Sequence, residues 1–258
     1  MRSPRCGTKS SSVPTLIDGG KDTNHERHRR DRALQAPRQP KMKKKLQDLV
    51  FNSALSQALI ALSAKAIAAD LGARGSVDGD ALAFSRFVDW LKQLRAGIVL
   101  EIGTRRVEGC PSTLRRDWVS GGVRYVACDC QSGLDVDVVA DVEQLSKAFA
   151  AGSIDAVIGC SVFEHIRKPW LASEEIRKVL RPGGLVYIQT HQSFPIHAHP
   201  FDYWRFSREA LETLFSAENG FKSQATWYEY PASILSQRDP RSRLGQAYLN
   251  VNIVAERA

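Results

Sequence analysis

The chain has 258 residues, 43% of them hydrophobic, which is enough for one sizeable core with appendages rather than two full domains. Its net charge of +8 is not spread over a folded surface, because residues 1–45 hold 13 Lys and Arg against 4 acids and leave 23 bases and 24 acids for the rest. A near-neutral body argues against nucleic acid as a partner, and no uninterrupted apolar run is long enough for a membrane span, since the stretch Leu46 to Leu71 is broken by Asn52, Gln57 and Lys65.

Residues 1–45 are rich in Ser, Pro, Arg and His and lack hydrophobic periodicity, which predicts a disordered basic tail. Met42 opens MKKKLQDL just where helical patterning begins, so Met42 is an expected natural start, with the preceding segment an upstream extension. The competing reading is a polybasic tail for an acidic surface, diluted by Asp18, Asp22, Glu26 and Asp31. The cysteines (Cys6, Cys110, Cys128, Cys130, Cys160) are odd in number and form no CxxC pair. Together with the missing secretory core they predict reduced thiols in a cytoplasmic protein.

Residues 46–95 read as N-terminal helices. From Leu46 to Leu71 the apolar residues Leu49, Val50, Leu55, Leu59, Leu62 and Ile67 fall at helical spacing, and Gly72 with Gly75 ends the pattern. A second helix, Ala81 to Leu94, is expected to turn Leu82, Phe84, Phe87, Val88 and Leu91 toward a core. Residues 96–258 form the third region, where strand and helix patterns alternate. Strands are predicted at Ile98–Glu101, Val123–Cys128, Val136–Ala140, Ile154–Cys160 and Leu185–Gln189, with helices at Trp170–Leu180 and Arg208–Phe215. Gly220–Tyr230 and Tyr248–Ala255 follow as two further strands, with Arg238, Asp239, Pro240 and Arg241 marking their exposed connection. The fold class is therefore α/β: seven strands, mostly parallel, helices on both faces, and a hairpin-like finish with one antiparallel strand.

An open parallel sheet binds ligands beyond the carboxyl ends of its strands, where strand order reverses. The residues at those ends are Glu101 and Gly103, then Asp129, then Asp141, then Ser161 to His165. A carboxylate at Asp129 suits a ribose diol, and Asp141 can accept from an exocyclic amine. Taken singly each acid is equally an exposed loop residue or a helix cap; their recurrence at successive strand ends is the signal.

The segments VLEIG (99–103), VACDC (126–130), VVADVEQL (138–145), SIDAVIGCSVFEHIRKPW (153–170) and IRKVLRPGGLVYIQT (176–190) resemble, in order, the motif series of class I S-adenosylmethionine-dependent methyltransferases, nearest to the broad small-molecule group called type 11. The resemblance spans roughly residues 80–256 and implies a Rossmann-like sheet with a reversed seventh strand and S-adenosyl-L-methionine as cofactor. It implies that Gly103 admits the methionine moiety, Glu101 holds its amino group and Asp129 the ribose. Asp141 and Val142 would take the adenine, with Thr104, Cys130, Cys160 and Ser161 lining the cofactor. Two departures stand out: GTRRVEG replaces a glycine-rich loop, with Thr104, Arg105 and Arg106 where small residues are usual, and no NPPY-like motif of nucleic-acid base methylation is present.

The most individual stretch is HQSFPIHAHPFDYWRFS at 191–207, which brings His191, His197, His199, Asp202, Tyr203, Trp204 and Arg205 to the acceptor side of the sheet. Methyl transfer is an in-line displacement that needs alignment, plus a base when a hydroxyl or amine must lose its proton. The candidates are His197 or His199 as base, with His165 at the lip of the site; the alternative is that these side chains only pack the loop. A metal set of His197 and His199 with Asp202 or His191 is conceivable, but spacing alone does not converge ligands, and no metal is assigned. The expected function is methyl transfer to an O or N atom of a small polar acceptor. The rivals are a non-catalytic scaffold whose cofactor loop is degraded at Thr104-Arg105-Arg106, and a nicotinamide-dependent oxidoreductase. Oligomeric state and acceptor identity are not encoded in the motifs.

Overall fold

In the computed structural model the described residues are 81–234 and 246–258, with the isolated helical positions Ala58 and Leu62. The basic tail, the helix expected at Leu46–Leu71 and the connection at Arg238–Arg241 lie outside them. The chain divides between Lys65 and Ala66, and the sheet and its covering helices belong to the second unit.

The elements of that unit are α1 (Ala81–Gln93), β1 (Ile98–Ile102), β2 (Arg124–Asp129), β3 (Val138–Val139), β4 (Ile154–Cys160), α2 (Pro169–Val179), β5 (Leu180–His191), α3 (Arg208–Leu214), β6 (Phe221–Ser233) and β7 (Gln246–Arg257). The seven strands form one sheet in the order β3-β2-β1-β4-β5-β7-β6. The strands from β3 across to β5 run parallel, and β7 is antiparallel to both β5 and β6. Strand order reverses between β1 and β4, so their carboxyl ends, with those of β2 and β3, open onto one edge.

Both faces are covered. On one, Leu100, Ile102, Val157, Val186 and Ile188 meet α2 and α3 through Ala172, Ile176, Val179 and Leu211. On the other, Val99, Ala156, Ile158, Tyr187 and Trp227 meet α1 through Ala83, Phe87 and Leu91. The period of two along each strand divides the faces, so consecutive residues such as Val99 and Leu100 serve different cores. Phe87 and Tyr187 rings lie 5.5 Å apart, and Tyr187 stacks on Trp227 at 6.1 Å.

Three sequence expectations change. Leu82, expected toward the core, is exposed at 62%, because the buried line of α1 is Ala83, Phe87 and Leu91, four residues apart, and Leu82 stands about a hundred degrees away from it. The expected strand Val136–Ala140 shrinks to Val138–Val139 at the sheet edge. The strand expected at Leu185–Gln189 instead starts at Leu180, and Arg181–Gly184 bulge within it: Ile154 pairs with Leu180 and Ala156 with Leu185. Gly183 there has φ 72°, and the bulge is pinned by Arg181 Nε donating to Asp155 Oδ1 at 2.7 Å, while Asp155 Oδ2 accepts from Ile98 N at 2.8 Å. Among the described residues no α-helix joins β1 to β2 or β3 to β4; 3-10 turns at Arg116–Trp118 and Val142–Lys147 do so instead.

If α1 is an integral layer, Phe87→Ala should lower unfolding free energy by about 3–5 kcal/mol in denaturant titration; a loss below about 1 kcal/mol would mean that α1 is dispensable to the core.

Candidate functional site

A cleft of about 330 Å³ lies at the carboxyl ends of β1 to β4, at the lower end of the roughly 300–1,000 Å³ common for small-molecule sites. Its floor and walls are apolar, from Ile102, Ala140, Val142, Val162 and Ile166, and its rim carries Asp129, Asp141, Glu143, His165, Arg167 and Tyr203. Of the residues expected at a cofactor, Gly103, Asp129, Cys130, Asp141, Val142 and Ser161 border this cleft, whereas Glu101, Thr104 and Cys160 do not.

The reason is the strand period. Glu101 and Cys160 point to the α1 face. Glu101 is buried and both of its oxygens meet Arg115: Oε2 accepts from the Arg115 backbone N–H at 3.0 Å and Oε1 from its guanidinium at 2.6 Å. Burial raises the Glu101 carboxyl above its ordinary range even against the Arg115 attraction, and burial pushes the Cys160 thiol up to about 12, leaving it neutral. Thr104 is tucked beneath the loop, its N–H donating to Cys128 O at 3.2 Å.

The loop after β1 answers the question posed by its two arginines. Arg105 N–H donates to Asp129 Oδ2 at 3.1 Å, and Gln131 N–H donates to Oδ1 at 3.0 Å, so the Asp129 carboxylate is fixed by backbone. The Arg105 side chain lies against Gly133, where an added Cβ would stand 3.1 Å from it. Arg106 turns the same way, its Nε 3.1 Å from Asp135 Oδ2 and its N–H on Leu134 O at 3.0 Å. Neither side chain borders the cleft, which removes the steric ground for a degraded loop. Gly103 has φ 73°, and a Cβ there would stand 2.5 Å from Val162 Cγ2, so the glycine is required both by its backbone and by the packing of β1 against the loop after β4. Asp141 caps the following turn, Oδ1 accepting from Glu143 N at 2.9 Å. Ser161, at φ 52°, turns the chain out of β4.

On the acceptor side the histidines separate. His165 and His197 meet at 3.1 Å through their Nε2 atoms, whereas His199 is exposed on the loop. His191 is buried, its Nδ1 3.1 Å from Asn250 Oδ1 and its Nε2 3.0 Å from Glu164 Oε1, and it stacks on Phe194. Glu164, the middle of the FEH triplet, is the residue that sequence reasoning misses. It is fully buried; Thr190 Oγ1 donates to its Oε2 at 2.7 Å, and its backbone carbonyl accepts from Tyr203 N and Trp204 N. Burial acts against its charge, but the His191 and Thr190 contacts outweigh it and hold the carboxyl below its usual range; His191 is raised in turn by Glu164 despite its own burial. An acid beside a histidine at a strand end is the signal that could have found it. Asp202 is not free for a ligand, since Arg205 grips both oxygens at 2.6 and 2.9 Å and also donates to Phe194 O and Pro195 O, which ties the loop together.

Residues 110–188 match the family model described as a methyltransferase domain. An uncharacterized methyltransferase of Mycolicibacterium gilvum (strain PYR-GCK) is 40% identical over 53 residues, 20% of this chain and 19% of that protein. One from Mycobacterium avium (strain 104) is 27% identical over 105 residues, 37% of this chain and 40% of that protein. The chain thus spans less than half the length of these curated relatives. A solved structure of a candidate methyltransferase from Bacillus halodurans C-125 superposes with a TM-score of 0.50 at 12% identity, covering 67% of this chain and 97% of that one, a likeness of fold.

Two outcomes are expected from the geometry. Gly103→Ala should destabilise the protein by about 1–3 kcal/mol, and Val162→Ala in the same chain should recover part of that loss; strictly additive losses in denaturant unfolding would show that the two do not compete for the same space. Arg205 holds the Asp202 carboxyl far below its usual range, chiefly through its hydrogen bonds, so this group stabilises the fold above its unfolded pKa of about 4 and loses that contribution as pH falls toward the folded value. The stability gap between wild type and Asp202→Asn should therefore narrow on acidification from about pH 5 to pH 2; a gap independent of pH would contradict the pairing.

Proposed function

We propose that this chain, a member of the class I S-adenosylmethionine-dependent methyltransferases by its methyltransferase domain at residues 110–188 and its strand order, transfers a methyl group from S-adenosyl-L-methionine to an oxygen or nitrogen of a small polar molecule. The observation that carries the reading is the cleft itself, with carboxylates at the ends of successive strands β2 and β3 and an apolar wall between them. When bound, the sulfonium cofactor supplies an electrophilic methyl group.

The residues fit a nucleoside. Each Asp129 oxygen takes one backbone N–H and keeps a lone pair for a ribose hydroxyl, with its orientation already fixed. One Asp141 oxygen caps the turn, and the other remains for an exocyclic amine. Ile102, Val142 and Ile166 offer the apolar surface that an adenine ring needs, and Gly103, Cys130 and Ser161 complete the border. Glu101, held by Arg115, supports the strand end from the opposite face of the sheet.

His165 is the imidazole that borders the cleft. Its Nδ1 lies 2.7 Å from Phe201 O, which can only accept, so Nδ1 carries the proton and the neutral ring presents the Nε2 lone pair. That nitrogen is the proton acceptor of this reading; His197 Nε2 lies 3.1 Å from it, so the two rings share the proton once it is taken up, and Tyr203 stands at the rim of the cleft.

Isothermal calorimetry with S-adenosylhomocysteine tests the reading. Binding is expected, weakened about 10-fold or more in Asp129→Ala, as befits hydrogen bonds to a charged group. Absence of heat with both S-adenosylmethionine and S-adenosylhomocysteine at millimolar concentration would overturn it. So would stabilisation by a nicotinamide dinucleotide without any from S-adenosylhomocysteine.

A further inference from the structure

Three ligand-type atoms converge where the loop after β4 meets the loop after β5. His165 Nε2 and His197 Nε2 stand 3.1 Å apart, and Glu164 Oε1 lies 3.8 Å from His165 Nε2, with all three within 4.8 Å of one another. The hydrogen bonds on the far sides of the rings fix what these atoms carry. His165 Nδ1 faces Phe201 O at 2.7 Å, and His197 Nδ1 faces Pro195 O at 3.1 Å and Asp202 Oδ2 at 3.5 Å. Carbonyls and carboxylates only accept, so both Nδ1 atoms are protonated donors, and in the neutral rings both Nε2 atoms bear lone pairs, held 3.1 Å apart. Glu164 adds a third: its Oε1 is fully buried and has no aligned donor, the nearby His191 Nε2 at 3.0 Å standing off the hydrogen-bond direction. The two imidazole lone pairs repel unless a proton or a metal ion stands between them, and the buried carboxylate beside them, which His191 approaches from its other side, favours a positive charge at that point.

We infer that Glu164, His165 and His197 form a binding site for one divalent transition-metal ion of the zinc type. Two imidazole nitrogens bonded at about 2.0–2.1 Å to one ion at angles of roughly 95–110° are themselves about 3.0–3.4 Å apart, and the observed 3.1 Å lies in that range. The carboxylate oxygen, 3.8 Å from His165 Nε2, completes the set by a shift of its side chain toward the two rings. Two histidines and one carboxylate suit zinc, and each ligand has the outer partner such sites employ: Phe201 O and Pro195 O on the rings, Thr190 Oγ1 on the carboxylate. The set differs from the one that sequence spacing offers. Asp202 is taken by Arg205, His199 is exposed, and the carboxylate comes from the residue preceding His165.

Three protein ligands leave a position open, and because His165 also borders the cleft, an acceptor oxygen can occupy it. This consequence rests on the proposed methyl transfer, since the ion then replaces His165 as base: it lowers the proton affinity of a bound acceptor hydroxyl, whose proton passes to solvent. Metal binding itself does not rest on it.

The test is titration of the untagged, chelator-stripped full chain with zinc chloride by calorimetry and with cobalt chloride by visible absorption. One equivalent of zinc is expected to bind at about micromolar affinity or better, with a cobalt spectrum free of thiolate charge transfer. His165→Ala and His197→Ala should each weaken binding more than the roughly 10–100-fold that loss of an outer partner such as Thr190 costs. Asp129→Ala should leave zinc binding intact while weakening S-adenosylhomocysteine, so that each idea can fail without the other. Circular dichroism confirms that each variant is folded, and the partly exposed His197 provides a substitution that leaves the buried Glu164 in place. No binding at about 100 µM ion, or binding unchanged in both histidine variants, would overturn the site; a pair sharing a proton instead of a metal gives the first result.

Discussion

The site depends on β1 being hydrogen-bonded in parallel to β2 on one side and to β4 on the other. That double pairing brings the carboxyl ends of three strands to one edge, and the strand order reverses there, so the loops leaving β1 and β4 diverge and a cleft opens between them. Its consequence is visible in the contacts that cross the sheet ends. The Arg105 amide reaches Asp129 at the end of β2, and the missing Cβ of Gly103 is filled by Val162 after β4. Shifting β1 by one residue against either neighbour would exchange its two faces and take all of these contacts away together.

How much of the fold and the site is legible in the sequence depends on which physical rule governs each residue. The seven strands, the reversed last strand and the acids Asp129 and Asp141 are readable because apolar runs ended by a polar residue mark buried strands and their exits. The strand period places two of the expected cofactor residues off the cleft lining: Glu101 lies two residues from Val99 and so shares its face, against α1 and Arg115. Cys160, two residues from Ile158, obeys the same rule. Leu82 in α1 is the helical counterpart, an apolar residue on the wrong side of the stripe set by Ala83, Phe87 and Leu91. Arg105 and Arg106 are not decidable from sequence, because the direction of a loop side chain depends on what the next loop offers, here Gly133 and Asp135 on the far side of β2.

Arg115 organises the α1 face beneath the end of β1. Its guanidinium compensates a carboxylate that burial would otherwise neutralise, and it lies 5.4 Å over the ring of Trp118, while its backbone N–H also reaches Tyr125 OH. Removing one partner of such a pair leaves an uncompensated buried group, at a typical cost of about 3–5 kcal/mol. The loop between β1 and β2, which contains no α-helix, is therefore held by electrostatics and aromatic contact where a helix would otherwise hold it by packing.

The acceptor side is built on the opposite plan. There the chain after β5 folds back over the FEH turn, with Tyr203 and Trp204 amides on the Glu164 carbonyl and Trp204 Nε1 on Ile166 O at 3.0 Å. Arg205 draws Phe194, Pro195 and Asp202 together from behind. These contacts are backbone-directed and set where His197 stands, so the approach of His197 to His165 is imposed by the loop and not chosen by the two rings. A loop that forces two imidazole lone pairs together beside a buried carboxylate carries an electrostatic penalty in the absence of a cation. The same rigidity that creates the penalty leaves the three atoms in place for an ion, since little conformational freedom remains to be lost when one binds.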